Sequence, residues 1–105
     1  MKKKIFSVPA NINNLSKVRD FIQKVTHQYH VSSKVTNSIK LAVEEVCTNI
    51  IRHGYKNKKS GSIQIEMIIR KTNLTVIIID QGQTFDPRQV KDPDLFKYVE
   101  IGKVG

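Results

Sequence analysis

Apolar residues along this chain recur first at two-residue spacing, then at helical spacing, then at two-residue spacing again. Lys4 to Val8 alternates weakly and predicts an edge strand, closed by Pro9, which has no amide hydrogen to give a ladder. Asn11 or Asn13 is suited to cap a helix. Leu15, Val18, Phe21, Ile22 and Val25 then fall on one side of a helix over about 13–29. Val31-Ser32-Ser33 breaks that period, and either serine suits an N-cap. A second helix is predicted over about 34–53, stopping near Gly54, a common terminator. Ile63, Ile65, Met67 and Ile69 alternate with Gln64, Glu66 and Arg70, the pattern of a strand with one face on a core. Lys71-Thr72-Asn73 reads as a hairpin connection. Leu74 to Ile79 is apolar at almost every position, so this strand is expected to be central and to end abruptly at Asp80-Gln81-Gly82. Residues 83–105 carry two prolines and no long period, and read as a loop with a short helix around Asp94 to Val99.

The second helix holds the candidate chemistry. With Glu45 set at zero and about 100° per residue, Asn49 falls at about 40° and Arg52 at about −20°. The apolar stripe of Ile39, Val43, Val46, Cys47 and Ile50 lies about 120° round from them. A carboxylate, a carboxamide and a guanidinium thus share one face, with small Ala42 beside them. Glu44, at about −100°, is expected to point elsewhere. Taken alone, Glu45-x-x-x-Asn49 is also what an ordinary solvated helix face looks like. The second strand adds a further feature. Aspartate is a poor strand residue, yet Asp80 closes an apolar strand, and Gly82 after it permits a turn that other residues resist. In isolation that end also suits an Asx-type turn.

Composition narrows the class. At 105 residues the chain makes one small domain, and 39% hydrophobic with 26% charged residues is a globular composition. No apolar run approaches a membrane span. The start, Met-Lys-Lys-Lys-Ile-Phe-Ser, is basic but has no apolar stretch behind it, so no secretion signal is read there. Cys47 is the single cysteine, which excludes an intrachain disulfide and suits a reducing cytoplasm. The formal charge of +9 favours anionic ligands, but the lysines gather only at Lys2-Lys3-Lys4 and Lys56-Asn57-Lys58-Lys59 and otherwise scatter. One cysteine and three histidines exclude a Cys-rich metal site, and no RNP-like aromatic strand is present. Direct nucleic-acid binding is therefore a minor reading. His27 and His30 read as surface residues near a helix end.

The string Leu41-Ala42-Val43-Glu44-Glu45-Val46-Cys47-Thr48-Asn49-Ile50-Ile51-Arg52-His53-Gly54-Tyr55 resembles the N box of the GHKL ATP-binding superfamily, the group of gyrase-type ATPases and histidine kinases. Asp80-Gln81-Gly82-Gln83-Thr84-Phe85-Asp86-Pro87 looks like its first glycine box. Arg52-His53-Gly54-Tyr55 and Phe85-Asp86-Pro87 match the bacterial anti-sigma-factor serine/threonine kinases of the RsbW type in particular. The resemblance implies an α+β two-layer sandwich of the Bergerat type, with a mixed, mostly antiparallel sheet and helices on one face. It implies ATP and Mg²⁺ as ligands. Asn49 would ligate the metal, Glu45 would act as general base, and Asp80 would accept a hydrogen bond from the adenine amino group. Gly82 would let backbone approach the base. Arg52 would contact phosphate and His53 would line the same mouth.

The family pattern also has a mobile lid, a second glycine box, and a further helix and strands. Here the sequence stops at Gly102-Lys103-Val104-Gly105, and Gly105 either is the first glycine of that box or has no such role. Residues 1–105 then form one such domain without its C-terminal part. The implied function is a protein serine/threonine kinase that phosphorylates a STAS-type anti-anti-sigma protein and sequesters a sigma factor, with a homodimer as the family's usual state. The alternative is a non-catalytic binding module or anti-sigma regulator with little turnover.

Overall fold

The computed structural model describes residues 1–56, 61–82 and 96–103, with side chains for 1–53 and 61–80. Strand β1 (Lys2–Pro9) leads through a short 3-10 turn (Ile12–Asn14) into helix α1 (Leu15–Gln28) and helix α2 (Ser33–Lys56). Strands β2 (Gly61–Ile69), β3 (Asn73–Gly82) and β4 (Phe96–Lys103) come next. The strands lie in the order β1-β2-β3-β4, and each pairing among them is antiparallel. β1 is an edge strand and β3 is central, as their patterns predict. The lysines at the start of β1 also suit an edge, because charge there discourages pairing with another chain.

The caps reflect local chemistry. Asn11 accepts from the Asn13 amide at 2.8 Å and starts the 3-10 turn. Ser32 accepts from the Val35 amide at 3.2 Å and starts α2. At the end of α1, His30 takes φ 58°, the Val31 amide reaches back to the Thr26 carbonyl at 2.9 Å, and the His30 amide reaches the His27 carbonyl at 3.2 Å. That is a Schellman closure with histidine in the left-handed position that glycine usually fills.

One core joins the two layers. The helices contribute Val18, Ile22, Ile39, Val43 and Cys47, all at most 2% exposed. The sheet answers with Ile63, Ile65, Met67, Leu74, Val76 and Ile78, which are likewise closed to water. The Phe6 and Phe21 rings stack with centroids 5.0 Å apart and tie β1 to α1.

Three boundaries differ from the sequence reading. α2 does not stop near Gly54 but continues to Lys56. A glycine within a helix costs about 1 kcal/mol, too little to end a long helix seated on a sheet. β3 does not end at Ile79, because Asp80, Gln81 and Gly82 still have partners in Ile63, Ser62 and Gly61. Ladder pairing there outweighs the poor strand propensity of aspartate and glycine. The region expected to hold a short helix around Asp94–Val99 instead gives β4, with Phe96 opposite Ile79 and Tyr98 opposite Ile77. Phe96-Lys97-Tyr98-Val99-Glu100-Ile101 is rich in aromatic and β-branched residues, and an open edge of β3 was available to pair with it.

His30→Gly is expected to raise stability by about 0.5–1 kcal/mol, because removing the Cβ contact outweighs the extra chain entropy of glycine. Urea unfolding of the two proteins checks this, and equal or lower stability of the variant would contradict it.

Candidate functional site

The apolar stripe of α2 fixes which side of the helix faces out. With Ile39, Val43, Cys47 and Ile50 buried against the sheet, Glu45, Asn49 and Arg52 are exposed on the opposite side. They line a shallow open hollow of about 560 Å³ together with Leu41, Glu44 and Thr48. These positions succeed one another along adjacent rows of a helix surface. The three candidate side chains are thus brought together as the helical spacing predicts.

Glu44 departs from that expectation, since it lines the same hollow. Glutamate is long enough to reach across the gap between rows, which an angle at Cα does not convey. Its Oε1 accepts a hydrogen bond from Nη1 of Arg19 on α1, closing an ion pair between the helices. Glu45 has no hydrogen bond or ion pair among the described residues. Leu41, 71% exposed, forms the apolar end of the hollow.

Asp80 does not line this hollow, and its place is set by the sheet. It sits opposite Ile63 in the β2–β3 register, and residues directly opposite share a face. Ile63 is 1% exposed under the helices, so the half-buried Asp80 lies on the helix-covered face of the sheet. The end of the sheet is also set. Only residues 57–60 separate α2 from Gly61, so Lys56 and Gly61 lie within about 18 Å of each other. Gly61 pairs with Gly82. The C-terminal half of α2, which carries Asn49 and Arg52, is therefore tied to the same end of the sheet as Asp80 and Gly82.

The Gly61–Gly82 pair puts no Cβ on either strand at that end, which leaves room for close approach to backbone. Gly61 escaped the sequence reading, because a glycine after Lys58-Lys59-Ser60 looks like ordinary turn punctuation. His53 is exposed on the last described turn of side chains. Gly105 lies outside the described residues.

The donor set suits a hard cation. Asn49 and Glu45, one helical turn apart, present oxygen donors to an open hollow, and Mg²⁺ takes few protein oxygens beside those of its phosphate ligand. Among the described residues no three His, Cys, Asp or Glu side chains cluster as a metal cage would require. No described helix is long and apolar enough to cross a membrane.

Residues 8–102 match the family description "Histidine kinase-like ATPase domain". The chain is 33% identical over 91 residues to the serine-protein kinase RsbW of Bacillus subtilis, covering 87% of this chain and 56% of that protein. It is 39% identical over 66 residues to the anti-sigma F factor of Clostridium beijerinckii, covering 56% of this chain and 46% of that protein. With the RsbW of Listeria monocytogenes it shares 29% identity over 102 residues, 93% of this chain and 65% of the relative. The chain thus spans about half the length of the first two of these relatives.

Cys47 lies within the core beneath this face, and burial, with the nearby Glu44 charge, pushes its thiol up to about 12. A thiol held protonated is a packing group rather than a nucleophile. In the native protein it should resist Ellman's reagent at pH 8 and react on unfolding. The native state also binds more protons than the unfolded state between about pH 9 and about 12, so this group removes stability as pH rises through that window. Native labelling at the unfolded rate would contradict the assignment.

Proposed function

The chain belongs to the histidine kinase-like ATPase family, and on that premise we propose that it binds Mg-ATP along the hollow of α2 and passes the γ-phosphoryl group to a serine or threonine of another protein. The observation that carries this reading is the convergence of Glu45, Asn49 and Arg52 on one hollow of α2. The names of the relatives, serine-protein kinase and anti-sigma F factor, favour the finer form: a kinase acting on a STAS-type anti-anti-sigma protein and holding a sigma factor.

Each residue has a role in that reaction. Asp80 accepts from the exocyclic amine of adenine, where guanine would present a carbonyl and leave two acceptors opposed. Gly82 and Gly61 admit the base close to backbone. Arg52 contacts a phosphate, His53 lines the mouth, and Gly105 begins the second phosphate-binding glycine box. Asn49 would hold Mg²⁺ through its side-chain oxygen, and the ion would supply charge neutralisation at the phosphates. Glu45 takes the proton from the acceptor hydroxyl as its oxygen bonds to the γ-phosphorus and the bond to ADP breaks.

Phosphoserine formation on STAS proteins tests the reading directly. Glu45→Ala should keep Mg-ATP affinity while transfer falls by about 100-fold or more. Asn49→Ala should lose the Mg²⁺-dependent part of binding, read by calorimetry with and without the metal. Transfer at the unmodified rate by Glu45→Ala would remove the base assignment. A second expectation concerns selectivity: ATP binds more tightly than GTP, and Asp80→Ala narrows the gap. Equal affinities in the unmodified protein would sink the role of Asp80.

A further inference from the structure

The hollow on α2 carries two carboxylates, and only one of them is engaged. Glu44 and Glu45 both line it. Glu44 accepts from Arg19, which crosses from α1 at a separation of 25 residues in sequence. Glu45 stands without a partner among the described residues. The Arg19 and Glu44 side chains are 44% and 33% exposed, and an ion pair this open contributes little to folding. The helices are already joined by their apolar stripes, so the pair is dispensable as glue.

Its charge is a different matter. A polyphosphate entering the hollow would meet two adjacent negative side chains. An uncompensated Glu44 would repel the phosphates and offer a competing oxygen to the metal. We propose that Arg19 is a positioning residue for this site: it turns Glu44 toward α1 and cancels its charge, leaving Glu45 as the one carboxylate that the hollow presents to Mg-ATP. This rests on the reading of the hollow as an ATP site.

The test measures Mg-ATP affinity of the full chain by calorimetry in the unmodified protein, Arg19→Met, Arg19→Lys, and Arg19→Met combined with Glu44→Gln. At about 0.05 M salt, Arg19→Met should bind roughly five-fold more weakly, and the deficit should shrink as salt rises toward about 0.5 M. Arg19→Lys, which keeps the charge, and the double variant, which removes the exposed carboxylate, should both return to within roughly two-fold of the unmodified protein. Thermal transitions of all four should be alike.

Unchanged affinity in Arg19→Met overturns the proposal. So does a deficit that Glu44→Gln does not repair, which would mark Arg19 as a direct phosphate contact. Loss of the thermal transition in Arg19→Met also overturns it, by making the pair structural. Failure of the unmodified protein to bind Mg-ATP is a separate result, which removes the ATP site itself and this inference with it.

Discussion

The seating of α2 on the sheet is the interaction on which the rest depends. Ile39, Val43, Cys47 and Ile50 form a stripe that is buried along the helix. Such a stripe fixes the rotation of a helix about its own axis, because turning it would exchange buried aliphatic groups for charged ones. With that rotation set, Glu45, Asn49 and Arg52 can only face outward. The core and the site are therefore two sides of one helix, and neither can be changed without reference to the other.

The sheet supplies the second half of the arrangement through register. A one-residue slip between β2 and β3 would send Asp80 to the face away from the helices and bring Leu74, Val76 and Ile78 out of the core. The same hydrophobic cost that fixes the core thus fixes the side of the sheet on which the aspartate stands. The short link between α2 and β2 then sets which end of the helix lies toward that end of the sheet. Packing and chain length thus tie the C-terminal half of α2 and Asp80 to the same end of the sheet.

Charge adds a finer layer. The protein is strongly basic as a whole, yet the hollow that would receive an anionic nucleotide is lined by two glutamates. Local arrangement matters more than the total here, since exposed charges beyond about 10 Å are largely screened. Arg19 belongs to the far helix and sits 25 residues from Glu44 in sequence. Its effect on the hollow exists only because α1 and α2 pack side by side.

Much of this was legible in the residues alone. Period and punctuation placed β1, both helices, β2 and the core of β3, and the spacing of Glu45, Asn49 and Arg52 placed them on one face, because helical geometry is local. The ends of α2 and β3, and the whole of β4, depended on partners distant in sequence. Gly54 stayed helical, Asp80 stayed in its strand, and Phe96–Lys103 paired with β3, each because tertiary contacts outweighed local propensity. The sequence by itself determined which side chains could do chemistry and which face of α2 would carry them. Only the tertiary structure decided that Asp80 lies on the helix-covered face, that Gly61 opposes Gly82, and that Glu44 shares the hollow but is held by Arg19. Those three facts come from strand register and helix-on-helix packing, which bring together residues that no local spacing relates.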